Sequence, residues 1–320
     1  MQKAVLIAGA GGFIGGHLAS HLLRQGIRVR CVDSKPLSEW FQLHDGCENF
    51  SMDLQLKENC DRAVIDCHEV YNLACNMGGM GFIESNKALC MISVLINTHL
   101  LMACKLHQVE KYFFASSACV YPDRLQSERQ VTALKEDSVY PAMPEDGYGW
   151  EKLFSERMCR HFYEDFQIEV RIARFHNVYG PHGEYEGGRE KAPAAICRKV
   201  AESIQNGSKQ IEVWGDGEQT RSFIYIDDCI EGIQKLMGSH YREPINIGRD
   251  DLVSINQLID CVSEIAGVSI SRQYKLDAPQ GVRGRNSDNT LVKSVLNWEP
   301  KVTLEEGLNY TYQWIKGQME

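Results

Sequence analysis

Two short stretches of the sequence carry side chains suited to acid–base chemistry. "YGWEK" places Tyr148 and Lys152 four residues apart, on one face of a helix. A lysine cation lowers the pKa of a nearby phenol, so such a tyrosine can take a proton from an alcohol as a hydride leaves. "FFASSACVYP" ends an apolar run with Ser117 and Cys119, which ideal strand alternation would put on the same side. We expect Ser117 to orient that alcohol.

Cys119 has two interpretations at this stage. The chain contains 12 cysteines, with no Cys-x-x-Cys pair and no metal-binding spacing of His and Cys. Free cysteines are mostly small buried residues, so composition alone favours core packing for Cys119 over chemistry. The same pattern predicts free thiols, no metal site and a reducing compartment, which is the cytoplasm.

A glycine-rich motif stands at the first strand–helix junction. "LIAGAGGFIG" spaces Gly9, Gly12 and Gly15 so that the backbone can approach a pyrophosphate at a helix start. Asp33 ends the next predicted strand, where a carboxylate accepts hydrogen bonds from an adenosine ribose and repels a 2′-phosphate. The motif therefore predicts NAD rather than NADP. Asp53 is a candidate adenine contact, and a solvated loop acid is nearly as good an interpretation.

Apolar runs alternate with amphipathic stretches along the first half of the chain. The predicted strands are 4–8, 29–33, 70–74, 112–115 and 169–175, and the predicted helices are 15–25, 91–106 and 148–166. This alternation indicates α/β architecture with a doubly wound (Rossmann) parallel sheet. A Gly- and Pro-rich loop follows at 176–195. We predict a nucleotide-binding domain over 1–175 and 223–248, and a smaller ligand lobe over 176–222 and 249–320.

Composition and net charge argue against nucleic acid and membranes as partners. The 320 residues are 43% hydrophobic and 24% charged, as in an ordinary globular protein, and the net charge is −9. That charge argues against nucleic acid as a partner, because phosphate backbones need clustered Lys and Arg. No segment approaches the expected length of a membrane span, so no membrane partner is expected.

Four segments together carry a family resemblance. "GAGGFIG", "YGWEK", "RFHNVYGP" and "GDGEQTRSFIYIDD" resemble the nucleotide-sugar branch of the extended short-chain dehydrogenase/reductase superfamily over essentially the whole chain. The resemblance implies tightly held NAD, a nucleoside-diphosphate sugar in the smaller lobe, and a homodimer. It also implies NAD contacts from Tyr148, Lys152, Phe13, Ile14, Leu54 and Leu73.

Other segments indicate which family of this branch the sequence resembles. A dehydratase is expected to carry an acidic pair after the serine of "SSACVY", and none is present. "SSAC", "CNMGGMGFIESN", "GGREKAPAA" and "GVRGRNSDN" are similar to the GDP-mannose 3,5-epimerase family. Two departures stand out: Cys75 in "NLAC" replaces the family's usual alanine, and the helix over 91–105 diverges.

This resemblance implies site residues beyond the tyrosine–lysine couple. Cys119 and Lys191 would exchange protons with opposite faces of a sugar ring, and Arg221 and Arg285 would bind the diphosphate. The remaining implied substrate contacts are Ser117, Gly78, Ala118, Asn177, Glu190, Ala192, Lys199, Gln219 and Thr220.

The implied reaction is epimerisation of GDP-mannose at C3 and C5. Oxidation of C4 to a ketone would acidify the protons on both neighbouring carbons, and NAD would be regenerated at the end. The product would be GDP-L-galactose, with GDP-L-gulose from C5 inversion alone. Another nucleotide-sugar 4- or 5-epimerase, or a non-catalytic NAD-sensing protein, remains an alternative.

Overall fold

The computed structural model describes residues 3–278 and 280–320; residues 1, 2 and 279, which the predicted domains include, lie outside it. Its strands are β1 (Ala4–Ala8), β2 (Val29–Asp33), β3 (Glu48–Ser51), β4 (Cys67–Asn72), β5 (Lys111–Ser117), β6 (Glu169–Phe175), β7 (Asn177–Tyr179), β8 (Gln210–Trp214), β9 (Thr220–Arg221), β10 (Phe223–Tyr225), β11 (Ile245–Ile247), β12 (Val253–Ser254), β13 (Ser271–Lys275) and β14 (Gly284–Arg285). Its α-helices are α1 (Phe13–Arg24), α2 (Lys57–Val64), α3 (Met80–Ser85), α4 (Lys87–Ile92), α5 (Val94–Leu106), α6 (Tyr148–Phe166), α7 (Ala192–Gln205), α8 (Ile226–Gly238), α9 (Ile255–Ala266), α10 (Thr290–Leu296) and α11 (Leu304–Met319).

Seven strands form one parallel sheet in the order β11-β6-β5-β4-β1-β2-β3. Helices cover both faces, and apolar clusters fill both layers. The predicted doubly wound fold is confirmed. The strand order reverses between β1 and β4, and a crevice opens at the carboxyl ends of strands at such a point.

Most predicted elements occur, with shifted ends. The predicted bounds of β1, β2, β6 and α6 agree with the structure, whereas β4 covers Cys67–Asn72 rather than 70–74. The Asn72 side chain explains this shift, because its Oδ1 accepts the N–H of Ala74 at 3.2 Å and turns the chain out of the sheet.

The expectation that no segment approaches the length of a membrane span was wrong, whereas the expectation of no membrane partner stays a prediction. Residues 87–106 are long and apolar enough, by length and composition, to cross a membrane, with a mean hydropathy of 1.7. The structure divides this segment into α4 and α5, which meet at Ser93. Helix α5 packs between α2 and α6, so part of its apolar surface belongs to the core. Length and composition alone are weak evidence for a membrane span here.

Smaller sheets carry the chain segments above the crevice. β7 pairs with β10, β9 lies between β12 and β14, and β8 pairs with β13. The loop predicted at 176–195 contains β7 and runs into the start of α7. The domain boundaries stay a prediction. β7 and β10 pair across them, because residues 177–179 and 223–225 were assigned to different domains.

Candidate active site

A cavity of about 410 Å³ lies above the carboxyl ends of β1 and β4. Among the predicted site residues, those that line it are Gly9, Gly12, Phe13, Ile14, Gly15, Asp33, Asp53, Leu54, Leu73, Gly78, Ser117, Tyr148, Glu190 and Lys191. The other predicted residues are not among its lining residues: Ala118, Cys119, Lys152, Asn177, Ala192, Lys199, Gln219, Thr220, Arg221 and Arg285. A second cavity of about 520 Å³, beside Glu156 and Arg157, contains none of them.

The glycine motif forms a cradle that fits a dinucleotide. A Cβ on Gly15 would lie 2.2 Å from the Gly9 carbonyl oxygen, so only glycine lets the loop pack this closely on α1. Helix α1 begins without a side-chain cap, which leaves its first N–H groups free for phosphate oxygens. Asp33 accepts the Gly11 N–H at 3.1 Å and is held at the mouth of this loop. Asp53 is exposed and accepts the Gln55 N–H at 2.9 Å.

The tyrosine–lysine couple lies at the inner end of the cavity. Tyr148 is the first residue of α6, and Lys152 Nζ is 5.5 Å from its ring centroid and 3.5 Å from Glu151 Oε2. Burial raises the pKa of Tyr148 well above its usual range, and a hydrogen bond from Ser117 opposes that rise. Burial thus favours the protonated phenol, so the phenolate that could take a proton from an alcohol depends on the nearby Lys152 ammonium for its stabilisation.

Cys119 also lies beside Tyr148, but strand alternation does not explain its position. Strand β5 ends at Ser117, and residues 118–120 form a 3-10 turn. Ser117 Oγ accepts the Cys119 N–H at 3.2 Å and caps that turn. The thiol is 6% exposed and packs beside Tyr148. The explanation from alternation was wrong, because the chain leaves the sheet between the two residues.

Lys191 stands at an unfavourable place for a cation. It is the N-cap of α7, where the helix dipole repels positive charge. Burial lowers its pKa, the Cys119 thiolate form would oppose that change, and Arg285 lowers it further. A lysine so placed gives up its proton more readily than a solvated one.

Two arginines face the same region without carboxylate partners among residues 3–278 and 280–320. Arg285 Nη1 donates to Cys119 Sγ at 3.4 Å, and its Nε donates to Gln126. Arg221 donates to the Thr220 and Gln280 carbonyl oxygens at 2.8 and 3.1 Å. Burial, and then the charge of Arg285, lowers the pKa of Arg221 to about 9. Two adjacent guanidinium groups favour an anionic ligand.

Most of the remaining predicted substrate contacts form hydrogen bonds or ion pairs within the protein. The Asn177 amide donates to the Ser222 carbonyl at 3.0 Å, and Lys199 donates to the Glu212 carbonyl at 2.9 Å. Gln219 donates to the Trp214 carbonyl at 3.0 Å, while its buried oxygen has no hydrogen-bond partner in the part of the chain that the structure describes. Thr220 donates to the Arg129 carbonyl at 2.6 Å, Glu190 pairs with Arg198, Ala118 is buried, and Ala192 starts α7.

Sequence reasoning missed three residues of the site. Gln126 orients Arg285 from a loop with no motif of its own. His176 lines the cavity, and burial lowers its pKa to about 3, so it is neutral. Cys75 also lines the cavity and packs in the same cluster as Tyr148. Its departure from alanine was the available signal.

A doubly wound sheet with a glycine cradle and the Ser117, Tyr148 and Lys152 set defines a dinucleotide-dependent enzyme of the short-chain dehydrogenase/reductase type. A model of the NAD dependent epimerase/dehydratase family matches residues 5–248, and the chain belongs to this family.

One relative and two solved structures show which proteins of this family the chain is similar to. GDP-mannose 3,5-epimerase 1 from Oryza sativa subsp. indica is 45% identical over 318 residues, which are 99% of this chain and 82% of the relative. The crystal structure of UDP-glucose 4-epimerase from Thermotoga maritima, with UDP-glucose, has a TM-score of 0.89 at 25% identity and covers 99% and 100% of the two chains. UDP-glucuronic acid 4-epimerase from Bacillus cereus, with UDP-glucuronic acid and NAD, has a TM-score of 0.81 at 27% identity and covers 98% and 99%. The resemblance to GDP-mannose 3,5-epimerases and the NAD dependence are confirmed.

Proposed function

We propose that the protein epimerises GDP-mannose at C3 and C5 in an NAD-dependent reaction. The observation that carries this proposal is the Cys119 thiol, which lies 3.4 Å from Arg285 and close to both Tyr148 and Lys191. A 4-epimerase needs only the tyrosine couple, so a second acid–base pair implies chemistry at further carbons. The identity to the rice GDP-mannose 3,5-epimerase supports the substrate.

Tyr148, in its phenolate form, would take the C4 hydroxyl proton and become a phenol, and Ser117 would orient that hydroxyl. NAD, when bound, supplies a hydride acceptor and donor. Lys152 stabilises the phenolate because its ammonium lies beside the ring, held by Glu151 and by the Phe114 face at 4.8 Å. After inversion, Tyr148 returns its proton to the C4 oxygen.

Cys119 and Lys191 would act on the carbons beside the C4 ketone. One group removes a proton to form an enolate, and the other supplies a proton to the opposite face. The lowered pKa of Lys191 suits proton donation, and the Arg285 guanidinium suits a thiolate. Double inversion gives GDP-L-galactose, and inversion at C5 alone gives GDP-L-gulose.

Arg221 supplies positive charge for the diphosphate in this proposal. It lies half-buried, and among residues 3–278 and 280–320 only carbonyl oxygens accept its hydrogen bonds, so an arriving phosphate would find an unneutralised guanidinium. The unpaired oxygen of Gln219 offers a neighbouring acceptor.

Incubation with GDP-mannose in deuterated water tests the proposal. NMR spectroscopy should show deuterium at C3 and C5 of recovered substrate and products. The Cys119→Ala variant should lose this exchange, whereas a 4-epimerase would keep its turnover. Recovered GDP-sugar without solvent label at C3 would contradict 3,5-epimerisation, and no reduced-nicotinamide absorbance with any GDP-sugar would favour the non-catalytic alternative.

We propose a homodimer that buries the apolar surface of α4, α5 and α6. Exposed apolar side chains on these helices include Met91, Leu95, Met102, Trp150 and Phe154, which is 56% exposed. Burying such a surface against a second copy would stabilise the dimer. Light scattering of Phe154→Glu should show monomers, and an unchanged dimer would exclude this face.

We also propose a reducing, cytoplasmic location. All 12 cysteines are unpaired, and most are buried. Cell fractionation would test this location.

A further inference from the structure

Gln126 bonds Arg285 from a distant segment of the chain through a buried amide. The residue follows a 3-10 turn at Asp123–Leu125 and is 1% exposed. Its Oε1 accepts the Nε–H of Arg285, whose Nη1 donates to Cys119 Sγ at 3.4 Å. One amide is therefore bonded to the guanidinium that contacts the thiol.

The other end of the amide determines which way it points. Gln126 Nε2 donates to the carbonyl oxygens of Tyr121 and Pro122 at 3.1 and 3.3 Å. A flipped amide would set its oxygen against both carbonyls and its N–H groups against the Arg285 Nε–H, so only the observed orientation is satisfied. Because a guanidinium is planar, this fixed acceptor also restrains the plane in which Arg285 presents Nη1 to Cys119.

The acceptor is neutral, which distinguishes Arg285 from the arginine two positions before it. Arg283 donates to both carboxylate oxygens of Asp216 at 2.8 Å. Arg285 instead bonds an amide oxygen and a sulfur, and no carboxylate pairs with it in the part of the chain that the structure describes. An amide can direct a guanidinium without cancelling its charge, so that charge is left for a thiolate.

The backbone of Gln126 joins the two segments independently of its amide. Its carbonyl oxygen accepts the N–H of Arg283 at 2.9 Å and the N–H of Gly284 at 3.2 Å. Its own N–H donates to the Asp123 carbonyl oxygen at 2.9 Å. A substitution of the side chain leaves these backbone groups in place, so we expect it to change the direction of the guanidinium more than the fold.

We propose that Gln126 is a positioning residue for proton transfer at C3 and C5, whose neutral amide holds the Arg285 guanidinium against Cys119 without cancelling its charge. This role rests on the proposed function. None of the hydrogen bonds of Gln126 within residues 3–278 and 280–320 involves Tyr148 or Lys152. The amide should therefore affect the ring protons and not the oxidation of C4.

Gln126→Met tests this role, because methionine keeps the length of the side chain and removes both amide groups. Deuterium exchange at C3 and C5, measured with saturating GDP-mannose in deuterated water, should slow by about 10- to 10²-fold, the effect of losing one hydrogen bond to a charged group. Single-turnover reduction of the nicotinamide should stay within about twofold, because it depends on Tyr148 and Lys152. A merely structural role would move both signals together. That result, or exchange at the wild-type rate, would overturn the proposal.

Gln126→Glu separates the direction of the guanidinium from its charge. A carboxylate can still accept the Arg285 Nε–H, but it would neutralise the guanidinium and would face two carbonyl oxygens. Exchange should again fall by about tenfold or more. Wild-type exchange in this variant would refute the need for a neutral acceptor.

Gln234→Met is the matched control. The Gln234 amide donates to the Tyr71 hydroxyl at 3.3 Å, so the same chemical change removes a hydrogen bond that does not involve Arg285. Both signals should keep their wild-type values. Slower exchange in this control as well would show that loss of a glutamine amide acts through the fold, against the proposal.

A crystal structure of Gln126→Met gives a readout that does not depend on turnover. Arg285 Nη1 should lie beyond hydrogen-bonding distance of Cys119 Sγ, and a guanidinium that keeps this contact would exclude the positioning role. If the guanidinium is displaced while the wild-type protein exchanges no hydrogen at C3 or C5, the proposed function fails and the orientation of Arg285 by Gln126 stands.

Discussion

Arg285→Ala should slow proton transfer at C3 and C5 and not only weaken substrate binding. Its Nη1 lies 3.4 Å from Cys119 Sγ, and the side chain is 7% exposed. Coulomb's law at that distance, with an effective dielectric constant of about 20, gives roughly 5 kcal/mol between the guanidinium and a thiolate. Lys191 and Arg221 would remain to replace part of that attraction. We therefore expect a loss of about 10²- to 10³-fold in the rate of exchange.

The assay is deuterium wash-in from solvent at saturating GDP-mannose, which separates chemistry from binding. Added guanidinium ion should recover part of the Arg285→Ala rate. Arg283→Ala is the control, because Arg283 pairs with Asp216 at 2.8 Å outside the catalytic cluster and should keep the wild-type exchange rate. If Arg285→Ala raises KM and leaves the exchange rate at saturation unchanged, Arg285 is a diphosphate ligand only, and the electrostatic reasoning is refuted.

Three further outcomes follow from the geometry. Gly15→Ala should lose bound NAD, measured by absorbance of the released nucleotide, because its Cβ would lie 2.2 Å from a carbonyl oxygen, while Gly317→Ala meets nothing within 4 Å and should keep it. Lys191→Gln should still form reduced nicotinamide yet lose about 10²- to 10⁴-fold in epimerisation. The alkaline limb of turnover, which the lowered pKa of Lys191 sets, should disappear from the pH profile of this variant. Glu156→Ala should cost about 3–5 kcal/mol of unfolding free energy in denaturant titrations, because it leaves the Arg174 guanidinium buried and unpaired, and an unchanged midpoint would contradict this.

Local pattern predicted much of the fold. Strands β1, β2 and β6 are apolar runs flanked by turn residues, and Gly9, Gly12 and Gly15 stand where the first of them meets a helix. Both signals lie within a few residues of the structure that they indicate. They located the cofactor cradle and the tyrosine–lysine couple, because α6 alone sets the spacing of Tyr148 and Lys152.

Long-range packing decided the rest of the site. Arg285 reaches Cys119 across 166 positions of sequence, and Gln126 orients Arg285 from a third segment. No periodicity of the chain encodes such a meeting. A family motif marked Cys119 and Arg285 as site residues, but motif matching assigned the arginine to the diphosphate and did not reveal its contact with the thiol.

The two unusual segments around 76–81 and 187–191 pack against each other, and this contact gives a physical reason for the residue types found in both. The Gly79 N–H donates to the Arg189 carbonyl at 2.9 Å, and a Cβ on Gly79 would lie 2.8 Å from the Glu190 carbonyl oxygen. The Arg189 guanidinium also covers the Phe82 ring at 4.0 Å. Lys191 follows directly as the N-cap of α7, so the glycine loop helps to fix the position of its backbone. Because Cys75 lies just before the same loop and packs in the cluster of Tyr148, one short segment of chain contacts both the segment that carries Lys191, the proposed proton donor, and the cluster that contains Tyr148.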